Sequence, residues 1–496
     1  MTAEVPSTED TLRRSRALLQ ELEAFDRYLK ERKKKNTIAV AMSGLYLFQN
    51  NIKSEIKAFE RLAEAEHSTE KTQHALVSSN LPHYEALWNT AKRARGLVGF
   101  HKRVYWGSEN TRPNRLAPSG KHPPPKNKDH SVQVDIVARD GLEWIKVSTI
   151  TSKRLLFDIA GQGWERDLDS EEGESDTDAR NDGVQSVDDK GGVPLLRTAE
   201  CLAKASRTIR IRYKYPRVRL VLPRIQPGTT KEIDALLDDI RATGAIVECG
   251  SECHDAPALE DVLCDLITDE SADVSEVLNI DCTVLIALTS DISHTKVPDE
   301  PRSNMVKDQV KAEKKEKLMP SMLYPVMAGR SLVCTEEAAK RMRELVDQIG
   351  TESEKARAAV LMGDCDDGGE KKKLTAEFQK LSIHPVPPGL QLPIEIVDKD
   401  VEGACLPEIA AAVAAQLNDI NRSVFLYGWA SGRSTLSSNR VAARTIERVI
   451  EDYGTDEDQI GPHIWLLPTA RSLFTREKNR SAGESPATGA SPTTDG

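Results

Sequence analysis

The chain has 496 residues, enough for two or three domains. Lys and Arg total 68 against 78 Asp and Glu, a formal charge of −10. That balance excludes a wholly basic surface and leaves room for a local basic groove, because a ligand responds to the nearby field. No apolar run approaches the roughly 20 residues needed to cross a bilayer, and the opening MTAEVPSTEDTLRRS has no apolar core of the kind a secretory signal carries. The 8 cysteines form no dense framework, so reduced thiols in the cytosol or nucleus are expected.

Residues 9–35 place Leu12, Leu18, Leu19, Leu22, Phe25 and Leu29 at helical spacing, with charges between them. Arg32-Lys33-Lys34-Lys35 closes that helix, where cations complement the dipole; a nuclear address or a phosphate contact is the sharper reading of the same run. Further helices are expected over 52–66 and 83–97. The stretch 107–130 is Pro-rich and basic and reads as a linker. SVQVDIVAR and LEWIKVSTI read as two strands turning at Asp140-Gly141. Residues 166–192 are acidic and lack the apolar content of a core. A helix over LLRTAECLAKAS, strand VRLVLP, helix TTKEIDALLDDIRATG and strand AIVEC then give the strand–helix–strand pattern of a parallel sheet.

A new unit begins near 277. VLNIDCTVLIALTS opens as an apolar strand, KDQVKAEKKEK (307–317) reads as charged and exposed, and EEAAKRMRELVDQIG is an amphipathic helix. RSVFLYG is expected to be a strand, SSNRVAARTIERVIEDYG a helix and HIWLLP a last strand, before a polar tail at 476–496. The resulting division is a helical region 1–106, the linker 107–130, an α/β domain 131–270 containing the acidic insert, and a domain 275–475.

Asp281 stands out because it interrupts an apolar strand. A carboxyl there needs polar partners or a metal, and the carboxyl end of a parallel strand is where open α/β folds place ligands. Capping of the next helix is the plainer reading. Glu336 and Glu337 open a helix, where they complement its dipole; acids gathered from separate elements would instead suit Mg²⁺ or Mn²⁺. Thr208 to Arg219 alternates Arg210, Arg212, Lys214 and Arg217 with aromatic or apolar residues. At period two this is a basic strand face suited to RNA phosphates, or a charged edge that resists aggregation. Trp144 and Lys146, two apart, share a face. Cys249 and Cys253 have zinc-compatible spacing, but no second pair completes a tetrahedral set.

The segments SSNLPHYEAL (78–87), VDIVARDGLEWIKV (134–147), VLNIDCTVLIALTSDISH (277–294), LVCTEEAAKRMRELVDQIGTESEKARA (332–358), LSIHPVP (381–387), SVFLYG (423–428) and SSNRVAARTIERV (437–449) together resemble the eukaryotic family called domain of unknown function 1308. The C-terminal domain of that family is similar to PIN-type ribonucleases. The resemblance implies a three-layer α/β/α domain with a parallel sheet. It also implies Asp281 and Glu336 as metal ligands and catalytic acids, with Asn439 positioning the metal or the phosphate. Glu354 falls near a third acidic position. Arg433 stands about where the family carries a further Asp, and a cation there competes with a metal. Gly428 to Thr435 also departs from a phosphate loop, with three residues between its glycines and Arg where Lys is needed; Arg433 suits an RNA phosphate. Two expectations follow. One is a metal-dependent ribonuclease that processes RNA; the other is a catalytically inactive scaffold that binds RNA or protein partners.

Overall fold

The structure is a computed structural model describing residues 7–35, 42–64, 69–106, 131–165, 192–253, 255–268, 273–296, 304–364, 371–400, 404–453 and 458–474. The linker 107–130, all of the acidic insert but Gly192, and the tail 476–496 lie outside the described residues. The chain divides into two compact units, Met1–Asp273 with Glu447–Gly461, and Val274–Ile446 with Pro462–Gly496.

The first unit opens with α1 (Thr8–Lys35), α2 (Leu45–Glu64), α3 (Thr69–Val77) and α4 (Leu81–Lys92). Strands β1 (Gly99–Tyr105), β2 (Ser131–Ala138), β3 (Glu143–Val147), β4 (Arg217–Leu222) and β5 (Ile246–Cys249) form one sheet in that order. The strand β1 falls inside the stretch expected to be helical and pairs antiparallel with β2. The β2–β3 pair is antiparallel, turning through Arg139, Asp140 and Gly141, all at positive φ. The pairs β3–β4 and β4–β5 are parallel. Helices α5 (Ser152–Glu165), α6 (Pro194–Ser206), α7 (Lys231–Ala242) and α8 (Leu259–Leu266) complete the unit. Alternation along the strands feeds two cores. Ile145, Val147 and Val221 join Leu22, Phe25, Phe48 and Trp88 of the N-terminal helices. Trp144, Leu220 and Leu222 join Leu202 of α6 and Leu237 of α7. A sheet buried on both faces has no room for a one-sided polar pattern.

The second unit begins with β6 (Val277–Ile280), α9 (Cys282–Thr289), α10 (Asp291–His294) and α11 (Asn304–Lys315). Next come α12 (Tyr324–Met327), β7 (Ser331–Thr335), α13 (Glu336–Ile349), α14 (Glu352–Met362), α15 (Lys371–Lys380) and β8 (Glu395–Val397). There follow α16 (Ile409–Ala415), α17 (Asp419–Ala430), β9 (Ser434–Ser437), α18 (Arg440–Tyr453), whose residues from Glu447 on are counted with the first unit, and β10 (Ile464–Leu466). Its sheet is wholly parallel in the order β10-β9-β6-β7-β8. The chain therefore winds outward from β6 through β7 and β8, then returns to lay β9 and β10 on the other side. The order reverses between β6 and β9, the place where doubly wound sheets open a crevice.

Two local expectations change. SVFLYG is not a strand but the body of α17, where Asn418 caps the helix by accepting from the Asn421 amide at 2.9 Å. Gly428 belongs to that helix rather than to a phosphate loop. A Cβ at Gly428 would overlap the Thr435 hydroxyl and come within 3.2 Å of the Asn279 amide nitrogen, so glycine lets α17 lie directly on the sheet. Gly428→Ala is expected to destabilise the protein by about 1–3 kcal/mol despite the better helix propensity of Ala, measured by chemical denaturation. The stretch 307–317 is α11 and its extension, and it is not exposed all round. Gln309 accepts from the Ser472 amide at 2.8 Å, and Glu313 is engaged by Arg471 at 2.7 Å.

Candidate functional site

Asp281 follows the last residue of β6 and precedes α9, so it stands at the carboxyl edge of the parallel sheet. The β6–β9 pairing ends with Ile280 beside Leu436, which puts Asp281 level with Ser437. The β6–β7 pairing runs to Asn279 beside Val333, which puts Asp281 level with Thr335. Side chains level with one another on parallel strands share a face. Asn279, two residues back on that face, donates to the Val424 carbonyl of α17 at 2.8 Å.

The Asp281 carboxyl is buried, and its Oδ2 accepts from the Thr283 and Ser437 hydroxyls, each at 2.6 Å. Both hydroxyls accept in turn from backbone amides, Thr283 from Ser438 at 3.0 Å and Ser437 from Asn439 at 2.9 Å. Burial pushes the Asp281 pKa up, against the pull of the Ser437 and Thr283 hydroxyls and the Cys282 and Thr283 amides. Two further hydroxyls at this edge have no hydrogen-bond partner among the described residues. Thr335 Oγ1, on a residue with 0 % exposure, and Ser438 Oγ are both buried and unbonded. Unpaired buried hydroxyls are costly, and these two sit where α9, α13 and α18 begin directly off β6, β7 and β9. Helix starts carry unpaired amides and partial positive charge.

The other sequence-named residues fall as follows. Glu336 opens α13 and is exposed. Its neighbour Glu337 accepts from Ser423 at 2.6 Å and pairs with Lys399 at 3.1 Å; burial raises its pKa, but these contacts outweigh it and hold the carboxyl below its usual range. Asn439 caps α18, accepting from the Ala442 amide at 3.0 Å and donating to Asn421 at 3.1 Å. Glu354 is fully buried in a capping box and accepts from the Thr351, Asp291 and Phe474 amides. All its partners lie away from those of Asp281. Arg433 immediately precedes β9, so it stands at the amino edge, opposite Asp281, where it bonds the Tyr427 hydroxyl and lies 5.4 Å over that ring. The placement follows from α17 being a helix. The helix starts beside Asn439, and Arg433 at its far end donates its amide to the Gly428 carbonyl at 2.9 Å.

In the first unit the alternating basic strip is a strand only from Arg217, in β4; the residues before it turn. Arg212 and Tyr213 take φ of 49° and 68°, and Ile211 and Lys214 bridge across them, a tight turn instead of a strand. Arg210 stacks on Tyr215 at 4.4 Å, Arg212 pairs with Asp273 at 2.9 Å, and Lys214 is exposed. Trp144 is buried, and Lys146 pairs with Asp135 at 3.0 Å. Cys249 belongs to the core, and burial pushes its thiol up to about 11.

Mg²⁺ and Mn²⁺ prefer several ionised oxygen ligands. The edge offers one carboxyl, held by hydroxyls and favoured in its neutral form by burial, with Glu336 projecting from the next strand end. This donor set does not fit such a metal. Among the described residues no group of three or more His, Cys, Asp or Glu is placed to hold one. Sequence reasoning missed the Thr283 and Ser437 hydroxyls that hold Asp281 and the buried Thr335 and Ser438 hydroxyls nearby on the same strand ends; the Ser437-Ser438-Asn439 run before an amphipathic helix was its available signal.

Residues 278–383 match the model of a family described as a protein of unknown function (DUF1308), which supports that family resemblance. The match runs from β6 past α15 and includes Asp281, Thr335, Glu336 and Glu354. No solved structure matches the chain. Among the described residues no helix is long and apolar enough to cross a membrane.

Proposed function

We propose that the second unit is a PIN-like domain that binds single-stranded RNA at the carboxyl edge of its parallel sheet and does not cut it. The observation that carries this reading is the pair of buried, unpartnered hydroxyls, Thr335 and Ser438, at the reversal of strand order. Each has a free proton to donate but is shielded from solvent, so a phosphate oxygen reaches them only once the surrounding helix starts part; those helix starts favour an anion. Burial raises the Asp281 pKa and so works against the charge that would repel phosphate. Hydroxyls and amides grip a phosphate without activating water, so binding without hydrolysis is the chemistry this edge supports.

The test is fluorescence anisotropy with a labelled oligoribonucleotide in EDTA, followed by incubation with Mn²⁺. Binding that weakens with salt, with intact RNA afterwards, is the expected result. One observation favours the nuclease reading instead: Glu336 opens α13 at the strand end adjacent to Asp281. Mn²⁺-dependent cutting lost in both Asp281→Ala and Glu336→Ala would establish that reading and overturn ours.

Thr335→Val keeps the shape and removes the unpaired hydroxyl. The free protein is expected to gain about 1 kcal/mol, while RNA affinity falls several-fold. Thermal unfolding and anisotropy on the same preparation check both signs together.

A further inference from the structure

Away from the sheet edge, the second unit holds a cavity of about 400 Å³ between α10, α11 and the Ile383-His384 segment. Val310, Glu313 and Lys314 of α11 line it, at the 3 and 4 spacing that brings one helix face together, with Lys317 just beyond the end of the helix. Ile292 and Ile383 supply the remaining apolar wall, and Ile383 is 53 % exposed although it lines a concavity. Lys296 joins Lys314 and Lys317 as the lysines of the lining.

Glu313 is the acid among the lining residues, and its charge is already matched. Arg471, itself buried, reaches Glu313 Oε2 from Nε at 2.8 Å and from Nη2 at 2.7 Å, and the Leu318 amide donates to Oε1 at 3.2 Å. His384 Nε2 stands 3.9 Å from Oε1. Burial, then Lys317, lowers the His384 pKa, while a bond to the Ser293 carbonyl opposes them. The cavity therefore combines apolar walls with a net positive lining.

We infer that this cavity binds a small organic anion with an apolar body, its carboxylate or phosphate against the lysines and its hydrocarbon against Ile292, Val310 and Ile383. An inorganic anion would meet exposed lysine side chains such as Lys296 and Lys317, whose pairing energy is small. A neutral hydrocarbon would forgo the field. The volume falls at the small end of the roughly 300–1,000 Å³ typical of ligand pockets.

The probe is octanoate, titrated calorimetrically into the full chain. Saturable binding at one site that raises the unfolding temperature is expected, with neither octylamine nor inorganic phosphate binding there. Lys317→Glu should weaken octanoate by about tenfold or more, and Val310→Trp, which fills the cavity, should abolish it. Thr335→Val should leave octanoate binding unchanged, because the two sites share no residue. If Val310→Trp fails to fold, Lys317→Glu, an exposed change beyond the end of α11, still decides the matter. No saturable binding, equal binding of octylamine, or an unchanged affinity in Lys317→Glu would overturn the inference.

Discussion

Arg357→Leu is expected to lower the unfolding free energy by about 3–5 kcal/mol, with a matching drop in the denaturation midpoint at unchanged slope. Arg357 is 1 % exposed on α14. Its Nε donates to the Thr289 carbonyl at 2.7 Å, its Nη1 to the Leu381 carbonyl at 2.7 Å, and its Nη2 pairs with Asp291. Asp291 also accepts from the Thr351 and Ser353 hydroxyls, each at 2.7 Å, and its amide donates to Glu354 at 2.9 Å. One guanidinium thus ties α9, α10, α14 and the start of the 381–387 segment. Leucine would fill much of the volume but leave the Asp291 carboxylate without its counter-charge, held only by the Thr351 and Ser353 hydroxyls, and the Thr289 and Leu381 carbonyls without their guanidinium donor, and that uncompensated burial is the source of the loss. Pairing Arg357→Leu with Asp291→Ala should recover part of it, since the stranded charge is then gone. A loss below about 1 kcal/mol, within the range of ordinary surface pairs, would show that water reaches the network.

Asp281→Asn is expected to stabilise the protein at neutral pH, by a margin that shrinks as the solution is acidified. Burial raises the Asp281 pKa above its value in the unfolded chain, so the folded state holds the proton more tightly. Stability from such a group is full below the unfolded value, near pH 4, and is lost as pH rises through the folded pKa. Asparagine does not titrate and keeps an oxygen for the Thr283 and Ser437 hydroxyls. Unfolding temperatures of both proteins between about pH 3 and 8 should therefore diverge upward. A variant less stable than wild type at neutral pH would mean that the ionised form is the favoured one, as a metal ligand requires. Asp281→Asn should also retain RNA binding, whereas Asp281→Ala, which strands both hydroxyls, should lose most of it.

The elements with a strong single period were legible in the sequence. Leu18, Leu22 and Phe25 fix α1, and the hairpin at Asp140-Gly141 and the β4–α7–β5 crossover follow from turn chemistry and apolar spacing. SVFLYG misled because five of its six residues are buried in the folded chain, and a short apolar run without alternation reads the same as helix or strand. That one misreading carried Arg433 to the wrong edge of the sheet, since a loop that follows a strand lies at the opposite end from one that precedes it. The 208–216 strip misled for another reason. Its alternation was real, but two left-handed residues turned the backbone before the pattern could matter. Asp281 was legible as an anomaly, a carboxyl in an apolar strand. Its partners were not, because Ser437 lies 156 residues away and nothing local in either segment announces the pairing.

That separation has a consequence for how the site comes into being. The strand that brings Ser437 and Ser438 to Asp281 is the fourth of five in the chain, although it lies next to the first in the sheet. Closing so long a loop is slow and comes at an entropic cost that only the finished sheet repays. While a ribosome is still producing the segment between α13 and α17, β6 lacks its β9 neighbour and Asp281 lacks the Ser437 hydroxyl. The same holds for any fragment limited to residues 278–383, which contains β6 and β7 but neither β8, β9 nor β10. The buried carboxyl and its hydroxyl partners thus depend on the return of β9 to β6, not on the sequence around Asp281 alone.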